Sequence, residues 1–269
     1  MPELPEVETV KNTLKKIILN KKIKCANIYW NNIIAFPEVK EFKEKIKNHK
    51  INNILRRGKW LMFELDDYFL LSHLRMEGKY FIRNKNDERN KHEHVLITFT
   101  DNTELRYHDT RKFGKMYLIN KGEIYKTKPL NQLGLEPWDK NLTPKYLKEK
   151  LSKKPIKTEL LNQSIIAGIG NIYADEILFQ SKINPLKDGN KLTKKNLEDI
   201  INHTRNILEK AIKKGGTTVK SYTSSEGVHG LFQNELLVHT KKICPVCQSE
   251  ILKINVGGRG TYYCPKCQK

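Results

Sequence analysis

Cys244-Pro-Val-Cys247 and Cys264-Pro-Lys-Cys267 flank residues 248–263 near the carboxyl terminus, and this spacing constrains the fold more than any other feature of the chain. Two Cys-x-x-Cys knuckles can wrap one tetrahedral cation, and the stretch between them has room for the hairpin that zinc ribbons contain. A disulfide pair or four unrelated thiols are the competing readings. Both are weakened because only Cys25 lies elsewhere, and because a cytosolic protein keeps its thiols reduced. One structural Zn2+ is therefore expected on Cys244, Cys247, Cys264 and Cys267. A ribbon on a strongly basic chain suggests a hairpin held against nucleic acid; it does not by itself identify an enzyme.

The basic character is plain: 50 Lys and Arg stand against 30 Asp and Glu in 269 residues, a formal charge of +20. Such an excess favours a polyanionic partner, although a lysine-rich proteome would produce the same bias. The length allows two domains with real cores plus a small ribbon. Met1-Pro-Glu-Leu-Pro-Glu-Val-Glu lacks the basic flank and apolar core of a signal peptide. No apolar run approaches the roughly 20 residues of a membrane span, so a cytoplasmic protein without membrane contact is expected.

Val7, Val10, Leu14 and Ile17 recur at helical spacing after Pro5, with Glu6 and Glu8 in the first turn. The pattern predicts a helix from about Pro5 to Ile18, with Pro2 and Glu3 just ahead of its positive end. From about Lys22 to Ile119 short strands are expected over 26–30, 60–65, 69–74, 94–100, 105–108 and 115–119, as in an antiparallel sandwich or barrel. Beyond Leu130 the pattern turns helical, over 144–151, 157–166, 172–180 and 193–214, where Gly215-Gly216 closes the last helix. Residues 132–139, with Gly134, Pro137 and Trp138, look like a hinge. The expected organisation is α+β and multidomain: an N-terminal antiparallel β-sandwich with flanking helices (1–131), a helical domain (132–232) and a zinc ribbon (233–269).

Gly168-Ile-Gly-Asn171 opens one of these helices, and such a connection lets backbone N–H groups approach a phosphate. An ordinary tight turn between helices has the same composition, and no nucleoside triphosphate motif G-x-x-x-x-G-K-S/T accompanies it. At this point a resemblance becomes specific. Met1-Pro2-Glu3-Leu4-Pro5-Glu6-Val7-Glu8-Thr9 resembles the amino terminus of the bacterial formamidopyrimidine-DNA glycosylases, in the Fpg/Nei family. Four further stretches match in order: Arg57-Gly-Lys-Trp-Leu61, His73-Leu-Arg-Met-Glu-Gly78, Asp109-Thr-Arg-Lys-Phe-Gly114 and Gly168-Ile-Gly-Asn-Ile-Tyr-Ala174. Gly258-Arg-Gly-Thr-Tyr-Tyr-Cys264 then matches the ribbon hairpin.

The resemblance implies a helix-two-turn-helix arrangement for the helical domain and a monomer acting on double-stranded DNA with oxidised bases. It implies a catalytic group of Pro2, Glu3, Lys59 and Arg259. Lys59, His73, Asn171 and Arg259 would hold the phosphates around an extruded nucleotide; Met76, Arg111 and Phe113 would fill the gap it leaves, with His92 and Lys157 as further DNA contacts. Lys91, His92 and His94 together read as an exposed basic cluster. Residues 217–232 resemble a loop that closes over an extruded purine, although a plain linker would have the same composition.

The Pro2 chemistry also stands on its own. Once Met1 is removed, Pro2 presents a secondary amine, and an α-amino pKa of about 7.7–8.0 leaves a neutral fraction at neutral pH. A helix N-terminus beside it would lower that value. Attack on a sugar anomeric carbon gives an iminium that keeps its charge, because proline nitrogen is already disubstituted; Glu3 is placed as acid and base. Excision of oxidised purines with associated strand cleavage is the first reading. An endonuclease VIII-like enzyme for oxidised pyrimidines, or a non-catalytic reader of damaged DNA, is the alternative. His239-Thr240 departs from a tyrosine-glycine pair common in similar proteins.

Overall fold

Helix α1 (Leu4–Ile18) forms because its apolar positions fall on one stripe: Leu4, Val7, Val10, Leu14 and Ile18 are all fully buried. Pro5 pre-sets the first turn and Lys15 and Lys16 face the negative end. The computed structural model describes residues 1–217 and 230–269, which form two compact units, 1–131 and 132–217 with 231–269. The ribbon lies in the second unit with the helices.

In the first unit, strands β1 (Ile23–Ile28), β2 (Ile34–Phe36), β3 (Asn53–Arg57), β4 (Trp60–Glu64), β5 (Tyr68–His73), β6 (Lys79–Asn84), β7 (Glu93–Phe99), β8 (Thr103–His108) and β9 (Lys115–Asn120) follow α1, with α2 (Val39–Lys45) between β2 and β3. They make a four-stranded sheet, β1-β7-β8-β6, and a five-stranded sheet, β2-β9-β5-β4-β3. All pairings are antiparallel except β2 with β9. Alternate residues of both sheets enter one core: Leu61 and Phe63, Met116 and Leu118, Val95, Ile97 and Phe99, Leu105 and Tyr107. Val7, Val10 and Leu14 of α1 join it.

Strands β2, β3, β6 and helix α2 were not expected from the sequence pattern. In the second unit, α3 (Pro144–Lys150), α4 (Ile156–Leu161), α5 (Asn171–Gln180) and α6 (Lys194–Lys213) precede the hairpin β10 (Leu252–Val256) and β11 (Arg259–Tyr263). Thr143 and Thr193 cap α3 and α6 by accepting the N–H of Tyr146 and Asn196. Helix α4 stops well short of the expected Ile166. Asn162 turns the chain there, its Oδ1 accepting the Ser164 N–H at 3.0 Å. Residues 218–229, most of the expected closing loop, lie outside the described residues. Among the described residues no helix is long and apolar enough to cross a membrane.

Candidate functional site

Glu3 is the N-cap of α1, and it shares a capping box with Glu6. The Glu3 N–H donates to Glu6 Oε2 at 2.8 Å, and both carboxylates are 2% exposed. The box satisfies N–H groups that a helix start leaves open. It also places Glu3 at the positive end of α1, immediately after a half-buried Pro2 and an exposed Met1. Glu6 therefore has a structural task that the sequence pattern only hinted at.

Lys59 lies in the β3–β4 turn and is buried, as is His73 at the end of β5. His73 packs edge-on against Trp60, with ring centroids 4.8 Å apart. Its Nδ1 accepts the Arg75 N–H at 3.0 Å. Burial, with the Arg75 and Lys59 charges adding to it, holds the imidazole pKa down to about 3. A neutral ring that accepts at Nδ1 carries its proton on Nε2, so His73 is fixed as a single-proton donor. Lys59 supplies the cation and His73 a directed N–H.

Two loops carry Met76, Arg111 and Phe113, the residues expected to form a wedge. Met76 and Phe113 are 36% and 49% exposed, and the Arg111 guanidinium lies 4.8 Å from the Phe113 ring centroid. Asp109, fully buried, ties the second loop by accepting the N–H groups of Arg111 (3.0 Å) and Gly114 (2.8 Å). Both loops close on the hydroxyl of buried Tyr107. A Cβ on Gly78 would stand 2.3 Å from that oxygen, and one on Gly114 only 1.9 Å. The glycines of Met76-Glu-Gly78 and Phe113-Gly114 are thus steric requirements. Gly114→Ala is expected to cost about 1–3 kcal/mol through overpacking. Gly122→Ala, whose Cβ meets nothing within 4 Å, should leave thermal unfolding unchanged; equal midpoints for the two variants would contradict the clasp.

The basic cluster needs correction. Lys91 is exposed and His92 half-buried, but His94 is 3% exposed, with Nε2 at 3.0 Å from the Asp109 carbonyl. Burial lowers its pKa, so it adds no surface charge. The segment carrying His92 is held from below by Arg106, which sequence reasoning missed. Arg106 is 1% exposed and donates to Glu104, Glu93 and the carbonyls of Asn84, Asp87 and Glu88. Those bonds occupy all five guanidinium donors. Glu104 is a neighbour on the same strand, but the other four partners come from β6, β7 and the loop between them, which no local pattern signals.

In the second unit Lys157 is fully buried, and its Nζ donates to the Asn171 carbonyl at 2.8 Å and ion-pairs with Asp175. Its ammonium faces inward, on Asn171 and Asp175, and not outward as a direct DNA contact requires. Asn171 opens α5 and donates from Nδ2 to the Gly260 carbonyl at 2.9 Å, next to exposed Arg259. Gln163 brackets the glycine loop, accepting the Gly168 N–H and donating to the Ile169 carbonyl. Asn171 and Arg259 are thus brought onto adjoining positions of one unit.

Helix α5 also carries the ribbon. Glu176, buried, accepts three consecutive N–H groups, from Leu237, Val238 and His239. Its pKa is raised by burial, and these donors oppose the rise. His239 Nδ1 lies 2.6 Å from Asp175, and Thr240 adopts a φ of +63°. That left-handed backbone explains why glycine suits this position and makes Thr240 a strained substitute.

The four cysteines satisfy the geometry of a closed metal site. Their sulfurs all lie within 4.8 Å of one another, with Cys244 to Cys267 at 3.8 Å and Cys247 to Cys264 at 3.4 Å. Tetrahedral Zn–S bonds of about 2.3 Å place sulfurs roughly 3.8 Å apart. All four are free thiols, so the donor set fits one structural Zn2+ with no open position. In the hairpin above it, Gly257 and Gly258 have φ of +57° and +76°, as a two-residue I′ turn requires.

Comparison with known proteins matches three family models along the chain. They are the formamidopyrimidine-DNA glycosylase N-terminal domain over residues 1–116, its H2TH domain over 133–223, and a zinc finger found in FPG and IleRS over 241–269. The formamidopyrimidine-DNA glycosylase of Oceanobacillus iheyensis is 48% identical over 273 residues, covering 100% of this chain and 98% of its own length. That of Bacillus subtilis is 47% identical, covering 100% and 99%. Among solved structures, wild-type Lactococcus lactis Fpg with DNA containing N7-benzyl-Fapy-dG superposes with a TM-score of 0.92 at 41% identity, covering both chains fully. A complex of the same organism's Fpg with abasic-site DNA gives 0.92 at 40%, again with full coverage.

Proposed function

The chain belongs to the formamidopyrimidine-DNA glycosylase family, and from that premise we propose that it is a bifunctional DNA glycosylase and lyase. Its substrates are oxidised purines, 8-oxoguanine and formamidopyrimidines, in double-stranded DNA during base excision repair. It works as a monomer on the DNA of the bacterial cytoplasm. The observation that carries the reading is a buried carboxyl at the head of α1 directly after Pro2, with Met1 exposed for removal.

With Met1 gone, the Pro2 lone pair forms a bond to C1′, the C1′–N bond breaks with its electron pair leaving on the base, and the base takes up the proton that the Pro2 nitrogen gives up. Glu3 protonates the sugar ring oxygen, which opens the ring and yields the charged iminium. Glu3, ionised by the first step, takes a C2′ proton to give the enamine, whose electrons form the C2′–C3′ double bond as the C3′–O bond breaks, releasing phosphate and restoring the iminium. A second elimination releases the other phosphate. Lys59 and Arg259 place cations against these leaving groups, and His73 and Asn171 donate to the neighbouring phosphates. Lys157 supports Asn171 from within. Met76, Arg111 and Phe113 enter the opened duplex, and His92 steadies the backbone beside them. The role of Zn2+ is structural: it holds the hairpin that carries Arg259.

The test is a duplex carrying 8-oxoguanine opposite cytosine, incubated with the protein and borohydride. A covalent adduct mapping to Pro2 is expected. An adduct only on an oxidised-pyrimidine duplex would transfer the protein to the endonuclease VIII type, and none on either would leave a binding function.

A further inference from the structure

We propose that Arg56 is a positioning residue that fixes the Lys59 turn against the helix bearing Pro2, and so governs strand cleavage more than base release. This rests on the roles assigned above to Pro2 and Lys59. The Arg56 guanidinium lies between two elements. Its Nε donates to Glu8 Oε2 of α1 at 2.7 Å, and its Nη1 donates to the Gly58 carbonyl at 2.9 Å. The side chains are only 9% and 18% exposed. Gly58, with a φ of +56°, is the turn residue just before Lys59. One rigid planar group therefore couples α1 to Gly58, the residue next to Lys59.

The bridge is reinforced from the helix side, where Lys11 also grips Glu8. Burial would raise the Glu8 pKa, but the hydrogen bonds and charges of Lys11 and Arg56 outweigh it and hold the carboxyl below its usual range. The two bonds leave Arg56 at a fixed angle, which a guanidinium fork can meet and an ammonium cannot. Base release needs Pro2 and Glu3, and both sit at the head of α1, so they move together. Elimination needs Lys59, which belongs to the other side of the bridge. Breaking the bridge changes the second placement and leaves the first intact.

Arg56→Gln, Arg56→Lys, Glu8→Gln and the double variant Arg56→Gln with Glu8→Gln separate the possibilities, with Lys59→Met as reference. Base release and strand scission are timed independently under single-turnover conditions on an 8-oxoguanine duplex. Scission in Arg56→Gln should slow tenfold or more relative to base release. Glu8→Gln should reproduce that split, and the double variant should be no worse than Arg56→Gln alone, because both remove one bridge. Arg56→Lys should recover little. Equal slowing of both steps, or no slowing of either, would overturn the inference, as would independent additive effects in the double variant. If Lys59→Met itself leaves scission unchanged, the assignment of Lys59 is what fails; if it abolishes scission while Arg56→Gln does not slow it, the bridge is what fails.

Discussion

Glu3→Gln is expected to bind lesion DNA with near wild-type affinity and to release base at least a hundredfold more slowly. Glutamine is nearly isosteric and its carbonyl can still accept at the head of α1, so helix and fold should persist. What it lacks is a titrating oxygen. Positioned acid and base groups contribute about 10²- to 10⁴-fold, and no other carboxyl follows Pro2 so closely; Glu6 is already committed to the Glu3 N–H. The measurement is single-turnover base release with enzyme in excess, beside an equilibrium titration on a duplex carrying an uncleavable abasic analogue. Turnover equal to wild type would remove Glu3 from the mechanism. Weakened binding with proportional loss of turnover would instead make it a structural cap. Pro2→Gly provides the companion measurement: a primary amine still attacks C1′, so part of the activity should survive.

How far the chain could be read in advance depends on where each residue's partners lie. Helix α1 was legible because its apolar stripe and Pro5 are local signals, and the structure moves its start by one residue only, to Leu4. Strands β4, β5, β7 and β9 were legible from apolar runs between turns. Strand β3 was not, because Asn53-Ile-Leu-Arg-Arg57 reads as polar until Arg56 is seen against Glu8. Strands β2 and β6 fall at sheet edges, and β2 has only three residues, too short for any period to show. The same division holds in the site. The cysteine spacing stated the metal geometry outright, whereas the inward ammonium of Lys157 depends on Asp175, eighteen positions away. His92 and His94 look alike in sequence, but one lies just before strand β7 and the other within it. Arg106 is the hardest case: only the folded loop shows that a lone arginine in a strand is a five-bond anchor.

Removing the metal should have the second large effect, and it should fall on DNA affinity instead of on the amine chemistry. The ribbon core is small: Phe179, Val238, Ile251 and Tyr262 pack with the four cysteines themselves, so the ligands are a large part of what is buried. A two-stranded hairpin is marginal alone, and four thiolates drawn together without a cation repel one another. Structural Zn2+ supplies roughly 10–16 kcal/mol of apparent binding energy in small metal-dependent domains, more than the apolar contacts here could replace. Loss of the ion should release β10 and β11, and with them Arg259 and the Gly260 carbonyl that Asn171 holds. Chelation by a strong ligand is expected to liberate one equivalent of zinc and raise the Kd for lesion duplex by about a hundredfold, or ~2.7 kcal/mol. The salt dependence of binding should become shallower, because fewer phosphates are neutralised. Residues 1–131 form their own compact unit with their own core, so borohydride capture at Pro2 should persist at saturating DNA. Unchanged affinity after complete zinc release would show that the ribbon does not hold DNA. Simultaneous loss of the Pro2 adduct at saturating DNA would show instead that the first unit depends on the second for its fold.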